Sequence, residues 1–148
     1  MKISTKGIYG LKAMIDLALN SNNDYITLKS ISERQSISER YLEQIFSILR
    51  KAELVKSIKG AQGGYSLSDS SYKTTVGDIL RVLEGQLLVV DEELKEGDSI
   101  SKMDYLMVNN VWKKINYSIK TVVDSITLED LTVEYRKLND VSNYMYYI

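Results

Sequence analysis

Ser38, Glu39, Arg40, Glu43 and Gln44 stand at spacings that bring them to one side of a helix and its first turn. Arg40 and Gln44 can donate hydrogen bonds, and Glu43 can accept one from an exocyclic amino group such as cytosine N4. Backbone N–H groups at a helix start also favour a phosphate. Lys59, Gly60, Gly63 and Gly64 form a second group, a cationic tip whose glycines let the backbone come close to another surface. Together they suit base edges in a major groove and a neighbouring narrow minor groove. Plainer readings are available for each. Glu43 could pair with a lysine or arginine on a solvated face, Arg40 and Gln44 could be surface filler, and the glycines an ordinary turn.

The elements that must position these residues are legible in the patterning. Thr5 to Asn20 reads as a helix with Ile8, Leu11, Ile15, Leu17, Ala18 and Leu19 at near-helical spacing, followed by a loop at 20–24. Thr27 can cap a short helix from Leu28 to Arg34, with Leu28 and Ile31 inward. After a break at 35–37, Ser38 caps a helix from Glu39 to Lys51 whose buried stripe is Leu42, Ile45, Phe46 and Leu49. Residues 54–58 and 65–67 read as strands joined through the glycine-rich turn. Thr75 and Asp78 form a capping box for a helix carrying Val76, Ile79, Leu80 and Leu83, closed by Gly85.

Two short helices, a tight break and a hairpin give the order of a winged helix-turn-helix. The rest reads as an acidic loop or linker over 86–100, then the longest helix from Ser101 to about Ser125. Its stripe is Leu106 or Met107, Val108, Val111, Trp112, Ile115, Ile119, Val122 and Ile126. A last helix opens at Thr127 with Leu128, Leu131, Tyr135 and Leu138, and a tyrosine-rich tail runs from Val141 to Ile148. The fold class is therefore mainly α with a small β wing. Its parts are a winged helix-turn-helix domain over 1–85, the linker, and a helical region and tail over 101–148, whose stripe suits a dimer or packing within one chain.

Composition narrows the function. The sequence has no cysteine and no histidine, which excludes disulfides, thiolate-held iron or zinc and any histidine-based triad. No phosphate-cradling glycine motif occurs, so an enzyme, a cofactor and a metal are all unexpected. No apolar run is long enough for a membrane, and the first residues lack a secretory core, so a cytoplasmic protein is expected. Net charge is −1 overall, yet residues 1–85 hold 12 Lys and Arg against 9 Asp and Glu, and 86–148 hold 7 against 11. A basic front half is the side that would meet an anionic partner.

Several motifs in order resemble the Rrf-two family of bacterial transcription regulators. They are Lys2 to Gly7 with Tyr9-Gly10 and Ala13-Met14, then Ile31 to Gln35 with Ile37-Ser38. Tyr41 to Gln44, Leu49-Arg50, Gly60 with Gly63 to Tyr65, and Val76 to Ile79 continue the series. The resemblance implies a homodimer with crossing C-terminal helices, bound to imperfect inverted repeats in double-stranded DNA. It puts Lys2, Tyr41 and Arg50 beside Ser38, Glu39, Arg40, Glu43, Gln44, Lys59 and the three glycines as DNA-contacting positions. Lys59 stands where some relatives carry arginine, which fits a narrow groove differently. Cluster-binding members place cysteines between Val89 and Trp112, where this chain has Asp91, Glu92, Glu93, Asp98 and Asp104. The ending from Asn143 to Ile148 is similar to the cluster-less branch that represses cysteine and sulfur metabolism. That branch acts with cysteine synthase, which makes Tyr147 and Ile148 candidates for partner capture. A same-family regulator answering another signal, and a protein-interaction module without DNA affinity, are the alternatives.

Overall fold

A computed structural model describes residues 1–22, 24–91 and 99–146, with side chains up to Val141. The order is α1 (Thr5–Asn20), α2 (Leu28–Gln35), α3 (Glu39–Lys51), β1 (Val55–Ile58), β2 (Gly64–Leu67), α4 (Val76–Glu84), α5 (Lys102–Met107), a π turn (Val108–Trp112), α6 (Lys113–Ser125) and α7 (Leu128–Tyr146). No described helix is long and apolar enough to cross a membrane.

The caps fall where the sequence places them. Ser38 Oγ accepts from the Tyr41 N–H at 3.1 Å, Thr27 Oγ1 from Ser30 at 3.1 Å, and the Thr75–Asp78 box is reciprocal. Ser36 takes a left-handed φ of 56°, which turns α2 sharply into α3. The stripe of α3 is buried as expected, with Leu42, Ile45, Phe46 and Leu49 fully inaccessible.

The inward face of α1 differs from the expected one. Gly7, Gly10, Ala13, Met14, Asp16 and Leu17 are buried, whereas Ile8 is 50% exposed. Small residues let α4 come close: a Cβ on Gly10 would overlap Leu83 Cδ1. Contact distance, and not hydrophobicity alone, sets the rotation of α1. The buried Asp16 carboxylate is clamped by Arg34 through Nε at 2.9 Å and Nη2 at 2.7 Å, and by Gln35 at 2.9 Å. This clamp fixes α2 against α1.

The predicted long helix is interrupted. Between α5 and α6 the turn over Val108–Trp112 is π-helical, an extra residue per turn that shifts the stripe. Val108 is buried while Ile115 and Val122 are 38% and 56% exposed. The last helix also extends to Tyr146, past the expected start of the tail at Val141.

Residues 113–146 fold back on the first half. Leu128 joins the main core, and Val76, Leu80 and Leu87 pack with Ile119, Val123, Ile126 and Leu131. Backbone bonds Val76 N–H to Ile126 O at 2.8 Å and Leu128 N–H to Thr74 O at 2.9 Å stitch the two stretches. Arg81 adds a fork onto Asp124 at 2.7 and 2.9 Å. That hydrogen-bonded fork holds the Asp124 carboxyl below its ordinary value of 3.8. A depressed carboxyl contributes stability above its unfolded value and loses it as pH falls toward the folded one. Asp124→Asn should therefore lower Tm at pH ~7, with the gap to the natural protein narrowing by about pH 3. Thermal melts at the two pH values check this; a constant gap would mean that the charge on Asp124 contributes nothing to folding.

Candidate nucleic-acid interface

On α3 the residues left outside by the buried stripe are Glu39, Arg40, Glu43, Gln44 and Arg50, all exposed. Glu43 and Arg50 are seven positions apart, about 10 Å along one face, comparable with the roughly 12 Å width of a major groove. Among the described residues none of these charged side chains forms an ion pair. The plainer reading, Glu43 tied to a neighbouring cation, is thus absent from this arrangement. Ser38 is exposed, and its hydroxyl oxygen accepts the cap bond while its O–H stays able to donate.

Tyr41 is half-buried and meets Tyr9 of α1 edge-on, with ring centroids 6.0 Å apart. Part of this tyrosine is structural and only its rim faces outward. Lys12, exposed on α1, holds its ammonium 5.8 Å from the Tyr9 ring. That ammonium therefore lies near the start of α3, a cationic position the sequence reading did not single out. Its signal would have been the Tyr9-x-x-Lys12 spacing, which shares one helix face. Lys2 is exposed ahead of α1. The following Ser4 is fastened to Glu84 of α4, and no described contact joins Lys2 to the α3 face.

The wing is an antiparallel pair with register Val55↔Leu67 to Ile58↔Gly64. Ile26 adds a third, one-residue partner: its N–H and carbonyl both bond Tyr65, each at 2.8 Å. A Cβ on Gly64 would strike the Ile26 carbonyl, so this glycine is demanded by the sheet itself. At the tip Gly60 takes φ 111° with open space around it, a conformation glycine adopts freely. The Gly63 N–H closes the turn onto Gly60 O at 3.0 Å. Lys59 and Gly60 are exposed, while Gly63 and Gly64 are half-covered. Phe46 of α3 packs on Tyr65 of β2 with centroids 4.9 Å apart, which couples the wing to α3. The Phe46–Tyr65 contact thus joins the α3 helix to the strand that returns from the Lys59 tip. Tyr147 and Ile148 lie outside the described residues.

A helix-turn-helix with an exposed polar second helix, buttressed by a hairpin wing, defines the winged-helix class of transcription regulators. The comparisons agree. The family described as Rrf2, Iron-dependent Transcriptional regulator, matches residues 3–134. The chain is 46% identical over 148 residues to the HTH-type transcriptional regulator CymR of Bacillus subtilis, covering all of both chains. A solved structure of CymR, the global cysteine regulator of B. subtilis, superposes with TM-score 0.76, covering 90% of this chain and 98% of that one. The structure of T. potens IscR, 45% identical, gives TM-score 0.71 with 91% and 88% covered. The chain belongs to the Rrf2 family of transcription regulators and is not an enzyme.

A thiolate-held iron–sulfur cluster does not fit this chain. It has no cysteine or histidine, and among the described residues no group of three or more potential ligands could hold a metal ion. Carboxylates are hard donors, unsuited to an iron–sulfur cluster. Of the acidic stretch, residues 92–98 fall outside the described part, yet its donors are carboxylates too.

Proposed function

We propose that this regulator is a cytoplasmic homodimer that represses genes of cysteine and sulfur metabolism by binding imperfect inverted repeats. The observation that carries the reading is the α3 face, polar, exposed and without ion pairs among the described residues, on a chain 46% identical to CymR over its full length. In this reading Ser38, Glu39, Arg40, Glu43 and Gln44 meet base edges and adjacent phosphates. Lys2, Tyr41 and Arg50 meet the backbone, and Lys59, Gly60, Gly63 and Gly64 hold the neighbouring groove. Residues 1–85 act as the DNA-binding part and 101–148 as the dimerisation part.

Support for the dimer comes from apolar residues that a single chain leaves in water. Ile115 and Val122 are one heptad apart and exposed, as are Tyr105 and Leu106 at 60% and 50%. Such a stripe on a helix is suited to a second copy of itself.

Selection of bound duplexes from a random library, together with sedimentation of the complex, tests the reading. Two protomers on a palindromic site are expected; a monomer on DNA, or no enriched sequence, would overturn it. Lys59→Gln should weaken binding and reduce the log–log salt slope by about 1 if the ammonium neutralises a phosphate. An unchanged slope would remove that contact. Cysteine synthase is the protein partner we assign to Tyr147 and Ile148. Removing both is expected to abolish its capture while leaving DNA affinity intact, as a pull-down and a gel shift would show; capture that persists would rule the tail out.

A further inference from the structure

Where the loop after α1 meets the wing, the chain forms an open cleft of about 550 Å³. Its lining mixes charges: the carboxylates of Asp24 and Asp69 and the ammonium of Lys56. All three residues are exposed, and none forms an ion pair among the described residues. Ser66 lines the same cleft, and its Oγ is buried with no hydrogen-bond partner among the described residues. Buried hydroxyls are seldom left so, and an exception points to a bound water or ion behind the cleft wall.

The charge pattern decides the ligand class. A simple anion would face two carboxylates, and a simple cation would face an ammonium. The cleft volume lies within the range of small-metabolite sites. We infer that it binds a small zwitterion of the free α-amino acid class. The ligand's carboxylate is drawn to Lys56 and its ammonium to Asp24 and Asp69.

The position of the cleft gives binding a consequence. Lys56 belongs to β1 and Ser66 to β2, while Asp24 belongs to the preceding loop. Asp24 and Tyr25 also line a second cleft, of about 580 Å³, together with Ile58, Lys59 and Gln62 at the wing tip. The next residue, Ile26, is the one doubly bonded to Tyr65. A ligand spanning loop and strands would therefore brace the wing and alter its grip on DNA. This last step rests on the wing reading above; the binding step does not.

The full chain without DNA would be titrated calorimetrically with the twenty common L-amino acids, and the best binder compared with its amide and its N-acetyl form. Saturable binding of at least one amino acid is expected, with each derivative weaker by about tenfold or more. Lys56→Gln and Asp69→Asn should each weaken it by about tenfold or more with unchanged melting. Absence of saturation up to about 10 mM, equal binding by the derivatives, or equal binding by both variants would overturn the site. So would phosphate or Mg²⁺ saturating the cleft with the same loss in the variants. Adding the best binder to the protein–DNA complex should shift affinity severalfold in the natural chain and not in Lys56→Gln. Equal shifts in both, or none in either, would overturn the coupling to the wing. Because the titration uses no DNA, its failure is separable from failure of the DNA-binding reading.

Discussion

Arg34→Met is expected to destabilise the chain by about 2–4 kcal/mol, because it strands a buried carboxylate. Asp16 is 1% exposed and Arg34 39% exposed on the side chain, so the effect falls below the roughly 3–5 kcal/mol of a wholly buried pair. Gln35 still donates to Asp16 at 2.9 Å, which offsets part of the loss. For a chain of this length the change corresponds to a Tm lower by about 5–15 °C. Replacing both partners, Asp16→Leu with Arg34→Met, should recover most of it, since no uncompensated charge is then left in the core. A double variant less stable than Arg34→Met alone would show that the clamp is net stabilising as a pair and that the desolvation argument is wrong here. The same clamp sets the angle of α2 and, through the Ser36 turn, of α3, so Arg34→Met should also weaken DNA binding below its unfolding temperature.

Local signals carried most of the fold. Caps at Ser38, Thr27 and Thr75, and the stripe from Leu42 to Leu49, are properties of short windows, and the structure places all of them as read. The misplaced features depend on partners far along the chain. Ile8 looked like core because it is apolar at the right spacing, but the approach of α4 is set by Gly7 and Gly10, and glycines carry no hydrophobic signal. The π turn at Val108–Trp112 is a one-residue insertion within a continuous helix, and periodicity over a few turns barely registers it. Ile26 pairs with Tyr65 across the wing, a single-residue strand below any patterning threshold. On α3, types and spacing sufficed to place Glu39, Arg40, Glu43 and Gln44 on an exposed side, because one helix supplies it. Lys12 is not legible in the sequence because its placement depends on Tyr9 touching Tyr41, a contact between helices.

Glu43→Ala and Gln44→Ala are each expected to lower affinity for the cognate site by about 1–3 kcal/mol, roughly 5- to 150-fold. The two should differ in how they treat other sequences. A carboxylate near DNA is repelled by phosphates, so Glu43 is tolerable in a groove only where a base amino group answers it. Its removal should therefore relax selectivity at one base pair while leaving non-specific affinity equal or tighter. Gln44 is neutral, so its loss should reduce specific binding without raising the non-specific background. Both residues are exposed and away from the stripe, so melting temperatures should stay put, unlike those of Arg34→Met. Lys59→Gln should behave in the third way, weakening all sequences about equally. Competition across a library of operator variants reads these patterns side by side. If Glu43→Ala left the ranking of operators unaltered, α3 would not lie against base edges. The wing and the positive front half would then account for DNA affinity by charge alone.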